Sequence, residues 1–167
     1  MIRKFFITTL AIYPVLPFAT WWLRHQENIA LQHGRKLSDE EIIWAEKIGI
    51  THPEKIRIHH LNKVPTPVPD FIEHFLQKRG FPAGNAAGMS MRYGIYIKEK
   101  HTNNRAIIAH ELVHTHQYER LGGLWAFLKL YLQETLLLGY MHSPLEKEAN
   151  TISKAVLTDH PPNILTT

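Results

Sequence analysis

The feature that most restricts this chain is the run His110-Glu111-Leu112-Val113-His114, which sets two imidazoles and a carboxylate among apolar residues. Asn103 or Asn104 ahead of it can cap a helix, and Gly122-Gly123 behind it can stop one,. The run is therefore expected on a single helix that ends at Leu121. Residues four apart on a helix share a face, one turn from each other. His110 and His114 then aim both rings from that face, at a separation that one zinc ion can bridge. Glu111 lies beside them, where a carboxylate can take a proton from a metal-bound water and pass it to a leaving amine. Ile107-Ile108-Ala109 and Leu112-Val113 make the helix apolar on several sides, the pattern of a buried helix,. Two surface or packing histidines would leave that pattern unexplained, since buried histidines need partners.

Two histidines do not complete a catalytic zinc site, which takes three protein ligands and keeps one position open. The metzincin pattern requires Gly and His three and six residues after the second histidine, but those positions hold Gln117 and Arg120. The glutamate-ligand class uses a later helix instead, with an Asp or Asn four residues past the ligand to support a histidine. Glu146-Lys147-Glu148-Ala149-Asn150 has that form, which makes Glu146 the third-ligand candidate and Asn150 its supporting residue. Ser143-Pro144-Leu145-Glu146 also reads as a capping box with Pro at the first helical position. Were Glu146 spent on the helix start, Glu148 would be the alternative ligand.

H-E-x-x-H followed by E-x-x-A-[D/N] resembles the gluzincin metallopeptidases, particularly the membrane-linked HtpX and CaaX-prenyl-protease type, over residues 89–156. The resemblance implies a minimal zincin-like α+β domain, mainly helical with a small sheet. It also implies one zinc ion per chain and hydrolysis of peptide bonds with Glu111 as general base. Asn150 stands where that group carries Asp, so the support it offers has no charge.

Composition narrows the alternatives. The absence of cysteine removes thiolate ligands and thiol nucleophiles, leaving histidines and carboxylates for any metal,. A net charge of +4, with no basic run broken by aromatics, disfavours nucleic acid as a partner,. Residues 5–23 carry no charge and, as a helix, would be about 29 Å long, enough to cross a bilayer,. Trp21-Trp22 and Arg24 at their end resemble an interfacial belt with a charged stop. The expected organisation is an apolar N-terminal helix in residues 1–24 as a transmembrane or signal anchor, a metallopeptidase domain over 25–160, and a tail over 161–167. On this reading the protein is membrane-associated with the domain facing outward. A cleaved signal peptide and a buried packing helix are the competing readings of 5–23.

Elsewhere, Ser38-Asp39-Glu40-Glu41 announces a helix stopped by Gly49,. Residues 55–59 alternate like a short strand, 70–79 form a short helix after a proline-rich loop, and 89–97 read as one amphipathic strand,. As a sheet edge, that strand could pair with an extended and unfolded peptide substrate. Leu124–Leu138 is a strongly apolar helix, for the core or for a membrane surface. Tyr140 and His142 are candidates to meet an oxyanion at the metal. His59 and His60 point opposite ways on a strand, so at most one could join any site. The competing function is a non-catalytic, membrane-tethered zinc module for binding or sensing. A fourth protein ligand such as His116 or His142 would favour it, although His116 points away from His114 on a helix.

Overall fold

The structure, a computed structural model, describes residues 12–67 and 86–158. The helix expected at 70–79, the tail 161–167 and the start of the N-terminal apolar run lie outside those residues.

Among the described residues the α-helices and strands follow in chain order: helix α1 (Leu16–His33), strand β1 (Arg35–Lys36), helix α2 (Asp39–Ile48), strands β2 (Arg57–Leu61), β3 (Gly88–Met91) and β4 (Gly94–Lys98), and helices α3 (Arg105–Leu121), α4 (Leu124–Leu138) and α5 (Pro144–Thr158). The strands make one mixed sheet in the order β1-β2-β4-β3, with β2 and β4 parallel and the other two pairs antiparallel. The class is α+β, as expected.

The N-terminal helix differs from its expected form. α1 begins at Leu16, after Pro14 and with Pro17 in its first turn, and continues through Arg24 to His33. No helix among the described residues is long and apolar enough to cross a membrane. α1 packs on the sheet instead. Gly94 lies so close beneath it that a Cβ there would stand 2.8 Å from the Ala30 Cβ and 3.0 Å from the Glu27 carbonyl oxygen. Glu27, only 1 % exposed, takes bonds of 2.7 and 2.9 Å from the Arg92 guanidinium and one of 3.2 Å from the Tyr93 amide.

Residues 89–97 are likewise not one strand. Arg92 and Tyr93 form a two-residue turn, with Arg92 at φ 67, and the segment folds back as the β3–β4 hairpin. Both faces of β4 are covered, which is why Tyr96 is as buried as Ile95 and Ile97. Strand β2 begins two residues later than the alternation suggests, because Pro53–Lys55 turns as a 3-10 helix.

Two apolar cores flank the sheet. Ile58, Ile95 and Ile97 join Trp44 of α2, Ile108, Leu112 and Val113 of α3, and Ala149 and Val156 of α5. Tyr96 and Met91 join Leu16, Leu23 and Ala30 of α1 together with Phe127 and Leu128 of α4. Each fully buried aliphatic side chain stabilises the fold by about 1.5–3 kcal/mol relative to exposure.

Candidate metal centre

The motif helix forms as its ends suggest. The Asn104 side chain accepts from the Ala106 and Ile107 amides at 3.1 and 3.3 Å, and Gly122 closes α3 in the left-handed conformation at φ 91. α3 is held rigidly because it packs on α5, β3, α2 and α4. On its inner face, His110 Nε2 and His114 Nε2 stand 3.1 Å apart.

α5 brings Glu146 to them. Its Oε2 lies 3.3 Å from His110 Nε2 and its Oε1 3.6 Å from His114 Nε2. Ligand atoms around a tetrahedral zinc, at bonds of about 2.0–2.1 Å, are about 3.3 Å apart. The three separations bracket that value, so these residues fit a metal ion. Glu146 is free for this role because the start of α5 is satisfied by another residue. Glu134 accepts from the Ser143 hydroxyl at 2.7 Å and from the Leu145 amide at 3.0 Å.

Each donor is braced. The Tyr131 hydroxyl of α4 donates to Glu146 Oε1 at 2.8 Å, and the Tyr140 hydroxyl also bonds to this carboxylate. His114 Nδ1 meets Gln117 Oε1 at 2.8 Å, and the His114 ring stands edge-on to Phe127 and Tyr131. The Asn150 side chain bonds His110. Burial acts to raise the Glu146 carboxyl, but the hydrogen bond from His110 and the charges of both histidines outweigh it and hold the group below the ordinary range. For His110, burial acts downward and is outweighed by the Glu146 bond and the charges of Glu111 and Glu146, so that ring is raised. Burial lowers His114.

Glu111 is 6 % exposed and sits against the hairpin. Gly88 passes so near that a Cβ would come within 2.9 Å of Glu111 Oε1. A backbone bond from Ser90 reaches its carboxylate, and burial pushes the carboxyl up to about 7.

The three donors and Glu111 line a cavity of about 540 Å³. Val15 just ahead of α1, Ala19 and Trp22 of α1, and Leu128, Leu132 and Leu136 of α4 supply apolar lining. His110, Glu111, His114 and Glu146 are the only ionisable acids or histidines among its described lining residues.

The remaining candidates divide clearly. Tyr140 lines the cavity, whereas His142 is exposed and outside the lining. Glu148 is not in the cluster: Arg120 grips it at 2.6 and 2.7 Å. His116 Nδ1 faces the Gly49 carbonyl oxygen at 3.1 Å, away from the site. His59 lies against His33 and Tyr96 instead. Sequence reasoning missed Tyr131 and Gly88 and gave Gln117 no part in the site. Gln117 was recoverable, being one turn beyond His114 on the same face. Tyr131, in an apolar helix, had only its hydroxyl to mark it, and Gly88 carried no signal.

Comparison with known protein families, with characterised proteins and with solved structures finds no match to this chain. The functional reading therefore rests on the site itself.

Proposed function

We propose that this protein is a zinc-dependent peptidase acting on peptide segments with bulky apolar side chains. The observation that carries the reading is the buried Glu111 beside the His110, His114 and Glu146 donors, in the lining of a mostly apolar cavity. Zinc held by those three residues would supply Lewis acidity toward the scissile carbonyl and toward a bound water. Glu111 takes the proton from the attacking water and delivers it to the leaving amine. Tyr140, on the cavity wall, would donate to the oxyanion by exchanging its bond to Glu146, while Tyr131 keeps Glu146 in position. The walls from α1 and α4 accept an apolar side chain and give a charged one no partner, which would cost it its hydration. Among the described residues β3 pairs with β4 on one side only, and its Met89 and Ser90 line the cavity, so an extended peptide would lie along that edge,.

The non-catalytic alternative calls for a fourth protein ligand. Among the described residues the cluster holds three, with His116 and His142 turned elsewhere. We also propose association with a membrane surface, supported by Phe18 and Trp21, which α1 leaves 53 % and 62 % exposed,.

The test is Glu111→Gln, which preserves size and hydrogen bonding but removes the base. At equal zinc content, hydrolysis of an unfolded, apolar-rich peptide is expected to slow by at least about a hundredfold. Unchanged hydrolysis, or a zinc-loaded wild type that cleaves no such peptide, would overturn the reading.

A further inference from the structure

Gln117 uses every polar atom of its amide. Its Nε2 donates to the Leu145 carbonyl oxygen and to Glu148 Oε2, both at 2.9 Å. Neither partner can donate in return, so both amide hydrogens are committed and the amide cannot be reversed without setting its oxygen against two acceptors. Its Oε1 consequently faces His114 Nδ1, 2.8 Å away. An amide oxygen only accepts, so Nδ1 must carry the hydrogen. The lone pair of the neutral ring is then on Nε2, the atom that faces His110 and Glu146.

We propose that Gln117 is a positioning residue that sets the tautomer of His114 and couples this ligand to the helix bearing Glu146. Leu145 immediately precedes Glu146, so one side chain registers the second and third donors against each other. Glu148 completes the brace: gripped by the Arg120 guanidinium, it holds the Gln117 amide by its nitrogen. Gln117 is 0 % exposed, so a lost partner is not replaced by solvent,. The consequence for affinity rests on the metal site proposed above, whereas the tautomer assignment does not.

The two parts separate in one experiment on the full chain. Long-range proton–nitrogen NMR of the histidine rings in metal-free protein reads the tautomer directly, and zinc titration against a competing chelator reads affinity. Wild type is expected to show His114 protonated at Nδ1. Gln117→Met has similar length and no amide, and is expected to lose the preference for that tautomer and about 10- to 100-fold in zinc affinity. Gln117→Glu keeps an acceptor for Nδ1 but loses both donors. It is expected to retain the tautomer, even though a purely structural role would make this buried charge beside Glu148 the worse substitution. Thermal unfolding of the metal-free variants checks that each folds. A wild-type His114 protonated at Nε2, or a Met variant with unaltered tautomer and zinc affinity, would overturn the proposal. Nδ1 protonation in a wild type without zinc affinity would count against the metal reading and leave the hold of Gln117 on His114 standing.

Discussion

The core between α2, α3 and α5 and the core between α1, α4 and the hairpin contain similar side chains, yet they end in different surfaces. The first closes around one face of α3, whose other face carries the imidazoles toward Phe127 and Tyr131, where each of them and Glu146 is fixed by a named partner. The second stops short of closing and leaves a cavity walled by Ala19, Trp22, Leu128 and Leu132. The difference suits the function proposed for each. A metal site tolerates displacements of well under an ångström and needs rigid helices with a supporting shell of hydrogen bonds. A wall that takes an apolar side chain needs only size and the absence of charge. α1 joins the two halves, because the buried Glu27–Arg92 pair ties it to the hairpin whose β3 strand passes Glu111.

The sharpest way to separate the halves is to injure each in turn. Glu146→Ala is expected to lose the metal altogether, since two remaining histidines hold zinc poorly against solvent. Leu132→Lys is expected to keep a full complement of zinc while kcat/KM for an apolar-rich peptide falls by about 10- to 200-fold. Metal analysis and peptide kinetics on the same samples decide it. Zinc loss in the lysine variant would show that the halves are not independent.

A second substitution attacks their junction. Arg92→Ala leaves Glu27 buried without its cation and is expected to cost about 3 kcal/mol, the lower end of the range for breaking a buried pair, because Arg92 is itself partly exposed. Urea unfolding measures it. A change within about 0.5 kcal/mol would mean that α1 is held by apolar packing alone.

The smallest expected effect lies in the ligand-bearing half. Glu41 is 5 % exposed and takes two bonds of 2.7 Å from Arg35 and one from the Ser38 amide. Burial acts to raise its carboxyl, but the Arg35 bond and the Ser38 cap outweigh that and leave it lowered from 4.5. A group lowered on folding contributes stability that is fully present above its unfolded value and is lost as pH falls through the folded one. Glu41→Gln is therefore expected to cost about 1 kcal/mol at pH 7, allowing for the exposure of Arg35, and progressively less below about pH 4.5. Unfolding free energies at pH 7 and pH 3 test the sign.

Local signals carried much of this structure. The Ser38 capping box, the Asn104 cap, the Gly122 stop and the bounds of Leu124–Leu138 all appear where the residues indicate, because each depends on neighbours within a turn or two. Apolar stretches misled where partners were distant. Residues 5–23 read as one uncharged span, yet α1 carries its described part on through Arg24 to His33, with an inner face matched to Gly94, Tyr96 and Arg92, far along the chain. The 89–97 segment alternates convincingly, but alternation cannot locate a two-residue turn or reveal that β4 is covered on both faces.

By itself the sequence determined the α+β class, the motif helix and the convergence of His110 and His114, since helical spacing alone places both rings on one face. Only the tertiary structure decided that Glu146 joins them while Glu148 turns to Arg120, that Gln117 and Tyr131 brace the donors, and that α1 becomes a wall of the cavity. Those outcomes depend on how α1, α4 and α5 pack against α3, a matter of contacts between residues far apart in the chain, which local spacing does not encode.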